Sequence, residues 1–206
     1  MPRLIPKIYP ITDVAMAGMS QAEQVIRLID GGASLIQLRE KNRTTREFYQ
    51  EAKRALDVGR AHGAKLIIND RVDLALTLHA DGVHLGQDDL DPILARKLLG
   101  ADALIGFSTH SVEQARNAMD LPIDYLAIGP VFSTTTKSNP DPVVGLDGIR
   151  QVRAAVPNIP LVAIGGISIS RIPEVLAAGA DSVALISAIL RQPNNISSGI
   201  QHVLTI

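Results

Sequence analysis

The sequence predicts an α/β protein, a compact single-domain (β/α)8 TIM barrel spanning residues 1–206. Three observations lead there. Eight short apolar runs of strand length recur along the chain, most nearly continuous in apolar character, as strands covered on both faces must be. Segments with helical spacing separate them, and strands alternating with helices imply a parallel sheet. Polar residues gather at the C-terminal ends of the runs, the end at which barrels carry function. At 206 residues the chain is compact for a fold that typically takes about 250.

The runs are KIYPIT (7–12), SLIQLR (34–39), KLIIN (65–69), GVHLG (82–86), ALIGFS (103–108), DYLAIG (124–129), PLVAIG (160–165) and SVALIS (182–187). Between the first two, Ala22, Val25, Ile26 and Ile29 recur at helical spacing within 20–30. From Thr44 to His62, Phe48, Ala52, Ala55, Leu56 and Gly59 line one helical face. Ser111 is placed to cap a helix starting at Val112, with Glu113 in its first turn, and Ser170 to cap one over Ile172–Ala177. A weak repeat (GGASLIQL, ADGVHL, GADALIG, AGADSVAL) puts glycine and aspartate just before strands, where a left-handed glycine ends a helix. After Leu190 only QPNNISSGIQHVLTI remains, which predicts a short last helix. A doubly wound open sheet would want a G-x-G-x-x-G turn after the first strand; TDVAMAGMS does not supply it.

Composition narrows the function. With 46% hydrophobic and 20% charged residues the chain has material for a sizeable core. A net charge of −1 gives no basic field for nucleic acid, and 3% aromatics give no stacking platform for single strands. The absence of cysteine excludes disulfides, thiolate metal sites and Cys nucleophiles, and suits a reducing cytoplasm. MPRLIPKIYPITD does not read as a secretory signal, and no run approaches the roughly 20 apolar residues of a membrane span. The expectation is a cytoplasmic protein acting on small molecules.

The second run ends in Gln37-Leu38-Arg39-Glu40-Lys41 and the third in Asn69-Asp70. The fourth is followed by Gln87-Asp88-Asp89, and the fifth ends in Ser108-Thr109-His110. The sixth runs into GPVFSTTTKSNPDP, the seventh ends in Gly165-Gly166 and the eighth in Ser187. If the barrel closes, these segments bring together cations (Arg39, Lys41, Lys137), carboxylates (Asp70, Asp88, Asp89) and hydroxyls (Ser108, Thr134, Thr135, Thr136). Oxygen ligands without a His/Cys cluster suit Mg²⁺, which is usually held by one or two carboxylates plus substrate phosphates. Arg and Lys beside it would neutralise a diphosphate. The Gly-Gly pair and the turn at Ser187 match the place where barrels bind phosphate through backbone N–H groups. Two anionic groups are implied. The blander alternatives are that Asp70 and Asp89 cap helices, that Arg71 and Asp73 are solvated charges, and that the Ser-Thr-Thr-Thr stretch is a plain loop. His84 reads as a hydrogen-bonded barrel residue, and His62, His79 and His202 as surface residues. The 130–144 loop is long, which favours function.

QLREK (37–41), INDRVDLAL (68–76), ADGVHLGQDDL (80–90), GFSTHS (106–111), GPVFSTTTK (129–137) and VAIGGI (162–167), in this order and spacing, resemble the thiamine-phosphate synthase (thiamine-phosphate pyrophosphorylase) family. The resemblance implies a barrel, commonly dimeric, that joins hydroxymethylpyrimidine diphosphate to a thiazole phosphate, giving thiamine phosphate and diphosphate. It implies that Gln37, Arg39, Lys41 and Asn69 hold the pyrimidine diphosphate, with Ser108 and Lys137 also on the diphosphate. By the same resemblance Asp70 and Asp89 hold Mg²⁺, and Thr134, Thr136, Gly166, Ile186 and Ser187 bind the thiazole phosphate. Spacing alone leaves Asp88 and Asp89 equivalent; the family pattern selects Asp89. The rival is a thiazole tautomerase (TenI-type) on the same barrel, with His110 as its acid–base. A non-catalytic phosphate-ligand sensor, or another phosphate-binding barrel enzyme, stands further off, because neither needs the two acids and TTTK together.

Overall fold

The computed structural model describes residues 5–136 and 141–206. Eight parallel strands form one sheet: β1 (Ile8–Pro10), β2 (Leu35–Leu38), β3 (Lys65–Asn69), β4 (Gly82–Leu85), β5 (Leu104–Thr109), β6 (Tyr125–Ile128), β7 (Leu161–Ile164) and β8 (Ser182–Leu185). Sequential neighbours pair from β2 to β8, and β8 pairs with β1. A single parallel bridge between Ile11 and Gln37 joins β1 to β2 and nearly closes the barrel. All eight predicted strands are present, seven within their expected runs and β5 running one residue past its own, to Thr109.

The helices are α1 (Val14–Ala17), α2 (Gln21–Asp30), α3 (Thr45–His62), α4 (Val72–Leu78), α5 (Pro92–Leu99), α6 (Val112–Asn117), α7 (Gly145–Ala155), α8 (Ile172–Ala177), α9 (Ser187–Leu190) and α10 (Ile196–Leu204). Ser20 and Thr44 open α2 and α3 with complete capping boxes, closed by Glu23 and Glu47. Ser111 caps α6 as expected. Ser170 does not cap α8: a turn of 3₁₀ helix intervenes, and its hydroxyl meets Ser168 instead, at 3.1 Å. The last segment is more helical than its polar start implied: the four-residue α9 ends at Leu190, a 3₁₀ turn follows over Pro193–Asn195, and the nine-residue α10 packs back against α2.

Strand residues alternate between two cores. Leu126 and Ile128 face the helices, whereas Tyr125 and Ala127 face the barrel axis with Tyr9, Leu35, Ile67, Leu104, Val162 and Ala184. The strand glycines divide by mechanism. Gly32, Gly100 and Gly179 have φ of 100°, 86° and 113°, as the repeat predicted. Gly82 is not left-handed; a Cβ there would collide with the backbone of Leu104 on β5.

Three aspartates ahead of strands, two of them from the same repeat, do more than turn the chain. Asp81, Asp124 and Asp181, before β4, β6 and β8, accept from the backbone N–H of Leu66, Ile105 and Leu161 on the preceding strand (2.7–2.9 Å). Arg96 bridges Asp124 to the Ala103 and Pro122 carbonyls, and Arg153 bridges Asp181 to the Ile159 and Gly179 carbonyls. This pinned floor leaves the opposite end of the barrel to the long loops. Asp181→Ala should therefore lose about 1–3 kcal/mol in urea unfolding, because it orphans the buried Leu161 N–H, without changing the ligand affinity of the far end.

Candidate active site

The C-terminal ends of the strands surround a cavity of about 590 Å³. Gln37, Arg39, Lys41, Asn69, Asp70, Asp89, Ser108, Thr134, Thr136, Gly166, Ile186 and Ser187 all line it. Lys137 lies outside the described residues. Residues separated by up to 150 positions in sequence meet here because parallel strands deliver every C-terminus to one rim.

Neither Asp70 nor Asp89 caps a helix. Asp70 sits one residue before the N-cap position of α4, which has no side-chain cap, and Asp91 caps α5. Asp70 instead adopts a left-handed backbone (φ 61°), fixed by its N–H donating to the His84 carbonyl at 2.8 Å. Few non-glycine residues take this conformation, and those that do gather at functional sites. Asp89 Oδ2 accepts from the Gly86 N–H at 2.6 Å. Burial raises the Asp89 carboxyl pKa above its ordinary value; the hydrogen bond from Gly86 opposes this, and the charge and hydrogen bond of neighbouring Asp70 add to it. The two acids thus lie close enough for the charge of one to act on the other. Lys41 Nζ ion-pairs with Asp70 Oδ2 and neutralises part of that charge. Among the described residues no group of three or more His, Cys, Asp and Glu side chains forms a metal cluster. Two carboxylates with room for substrate oxygens fit Mg²⁺ and would not suffice for zinc.

Arg39 is more constrained than the sequence suggested. Its Nη1 lies 2.9 Å from Asp13 Oδ2, so the guanidinium is held in place from across β1. Asp13 also caps α1. At the other side of the cavity, Gly165 and Gly166 have φ of 99° and 65°. A Cβ on Gly165 would lie 2.6 Å from Pro130 Cα, and one on Gly166 2.6 Å from the Phe132 carbonyl oxygen. Both glycines are thus required by close packing against the loop after β6, and both line the cavity beside Ile186 and Ser187 at the start of α9. Thr134 Oγ1 accepts from the Thr136 N–H at 3.3 Å, which folds the loop after β6 over the same opening.

His84 is the hydrogen-bonded barrel residue expected, with Tyr125 Oη and Ser108 Oγ 2.9 and 2.8 Å from its two ring nitrogens. Burial lowers its pKa from an ordinary 6.5 to about 4, with the Asp70 charge opposing the shift. Tyr9 is pushed up to about 12 by burial, and Tyr125 also rises, so both phenols stay protonated. The unfolded chain protonates this histidine below about 6.5, while the folded chain does so only near 4. Stability should thus fall as pH drops from 6.5 to 4, by about 3 kcal/mol more than in His84→Asn, measured by urea unfolding across that window. Tyr9, Tyr125 and Asp13 were not singled out from sequence. A tyrosine in a strand reads as core, and only its hydroxyl, which needs a buried partner, hints at more. His110 lines the cavity, with Nδ1 2.5 Å from the Gly129 carbonyl and Nε2 3.5 Å from Asp141.

A family model described as thiamine monophosphate synthase matches residues 8–189. A thiamine-phosphate synthase of Chloroflexus aurantiacus is 44% identical over 185 residues, 89% of this chain and 85% of that protein. One of Clostridium novyi is 46% identical over 90% of this chain and 91% of its own. The solved thiamine phosphate pyrophosphorylase of Pyrococcus furiosus superposes with a TM-score of 0.84 at 36% identity, covering 97% of this chain and 95% of that one.

Proposed function

The chain belongs to the thiamine monophosphate synthase family, and we propose that its cavity couples hydroxymethylpyrimidine diphosphate to a thiazole phosphate, releasing diphosphate. The observation that carries this reading is the division of one cavity into two anion sites: two acids and two cations at one side, the glycine pair at the other.

The diphosphate side is formed by Gln37, Arg39, Lys41, Asn69 and Ser108, with Asp70 and Asp89 positioned to hold Mg²⁺. When bound, that ion would supply Lewis acidity to the leaving diphosphate. Arg39, fixed by Asp13, presents its charge without reorganisation, and Lys41 is drawn to the same oxygens. As the carbon–oxygen bond breaks, negative charge gathers on the diphosphate and these donors meet it. The pyrimidine methylene left behind is an electrophile, and the thiazole nitrogen attacks it with its lone pair. That attack removes no proton, so no general base is required. The thiazole phosphate rests on Gly166 and the first turn of α9, with Thr134, Thr136, Ile186 and Ser187 around it. Lys137, read from sequence as a further diphosphate contact, follows directly on this loop.

A cytoplasmic homodimer completes the reading. The cysteine-free composition fits the compartment, and no helix among the described residues is long and apolar enough to cross a membrane. A second copy would cover Ile93, Leu94 and Leu98, which stand exposed on α5. The test of function supplies both substrates with Mg²⁺ and follows thiamine phosphate as fluorescent thiochrome. Product formation is expected. Aromatisation of the thiazole phosphate without coupling would instead establish the tautomerase, with His110 as its acid–base.

A further inference from the structure

One line of hydrogen bonds crosses the barrel interior beneath the diphosphate side of the cavity. Gln37 Nε2 lies 3.2 Å from Tyr9 Oη, Tyr9 Oη 2.9 Å from Tyr125 Oη, and Tyr125 Oη 2.9 Å from His84 Nδ1. His84 Nε2 then lies 2.8 Å from Ser108 Oγ, which lines the cavity. Gln37, Tyr9, Tyr125 and His84 are all buried. Each group between the ends has one proton to give, and only one direction leaves none of those buried protons without an acceptor. The Gln37 amide N–H can only donate, so the Tyr9 oxygen accepts and sends its own proton to Tyr125. Tyr125 in turn donates to His84 Nδ1. A neutral imidazole that accepts at Nδ1 carries its proton on Nε2, and that N–H donates to Ser108 Oγ. The Ser108 hydroxyl proton is then left for the cavity.

We propose that Tyr9, Tyr125 and His84 are positioning residues which, through this one-way line, fix Ser108 as a hydrogen-bond donor to the leaving diphosphate. The assignment deepens the coupling reading and rests on it for the identity of the anion. A diphosphate only accepts hydrogen bonds, so a serine that spent its proton on the imidazole would turn lone pairs toward the anion and weaken the site. The geometry around the line is locked. Tyr9 meets Tyr125 edge to face at 82°, and His84 stacks on Tyr125 with centroids 5.5 Å apart. Gly106 leaves the space that the tyrosine and histidine occupy, since a Cβ there would overlap Tyr125 Oη and His84 Nδ1. Neither ring can turn to exchange its partner without disturbing β5.

The experiment has two arms. In ¹⁵N-histidine NMR of the intact protein, with the His84 signals assigned by their loss in His84→Asn, Nε2 should be the protonated nitrogen and Nδ1 the bare one. The opposite tautomer overturns the proposal, and this arm reads the line whether or not the protein couples thiazole. In the kinetic arm, Tyr125→Phe should lower kcat about tenfold with little change in the KM for the pyrimidine diphosphate. The same substitution made in Ser108→Ala should cost nothing further. Losses that multiply in the double variant would show that Tyr125 acts by packing alone and would overturn the proposal. Tyr9→Phe, one step back along the line, gives the same test if Tyr125→Phe fails to fold. Failure of wild-type coupling beside the expected tautomer would instead overturn the functional reading and leave the direction of the line intact.

Discussion

Asp70→Ala is expected to lower Mg²⁺-supported turnover by about a thousand-fold while the barrel stays folded. Asp70 and Asp89 converge tightly enough for Asp70 to help raise the Asp89 pKa, and Lys41 already sits on Asp70. Removing one acid leaves a single carboxylate for the metal and frees Lys41 from its anchor. The fold should tolerate the loss, because Asp70 caps no helix and its backbone bond to His84 does not involve the side chain. Alanine at φ 61° adds about 1–2 kcal/mol of strain, so Asp70→Asn is the cleaner companion: asparagine accepts the left-handed backbone and removes only the charge. Thiochrome assays on both variants, beside their urea unfolding curves, separate the two effects. Undiminished turnover in either variant would sink the metal assignment.

Gly166→Ala is expected to raise the KM for the thiazole phosphate at least about tenfold and to cost about 1–3 kcal/mol of stability. Gly166 combines a φ of 65° with a Cβ position that overlaps the carbonyls of Phe132 and Ser133. The side chain can be accommodated only if the loop after β6 moves off, and that loop carries Thr134 and Thr136. The KM for the pyrimidine diphosphate should change little, since its residues lie on β2 to β5 and the loops that follow them. A variant with both KM values unchanged would place the phosphate elsewhere.

The strands were legible because strands buried on both faces write themselves as apolar runs, and all eight match the expected segments to within one residue. Twelve of the thirteen candidate site residues meet in one cavity, because a single parallel topology sends every strand end to the same rim; the thirteenth, Lys137, lies outside the described residues. What sequence concealed was pairing at a distance. Arg39 read as a free cation, yet Asp13, 26 residues earlier, fixes it. Asp181 read as a turn residue, yet Arg153, 28 positions away, ties it to the barrel floor, as Arg96 ties Asp124. Tyr9 and Tyr125 read as apolar filling, since nothing local shows that two strands 116 residues apart aim their hydroxyls at each other. Gly82 read as a left-handed turn, whereas its role is close approach to β5. Ser170 had the right chemistry for a cap, but the chain enters α8 through a 3₁₀ turn that places it too early.

In the proposed reaction, two carboxylates and a substrate diphosphate would together hold the Mg²⁺ ion that drives coupling. The most direct measurement is a single-turnover coupling reaction, with enzyme in excess over pyrimidine diphosphate, run in Mg²⁺ and again in EDTA. Thiamine phosphate should form rapidly in Mg²⁺, stop in EDTA and return when Mg²⁺ is restored. Equal rates with and without the chelator would contradict the account and leave Asp70 and Asp89 without the role argued for them.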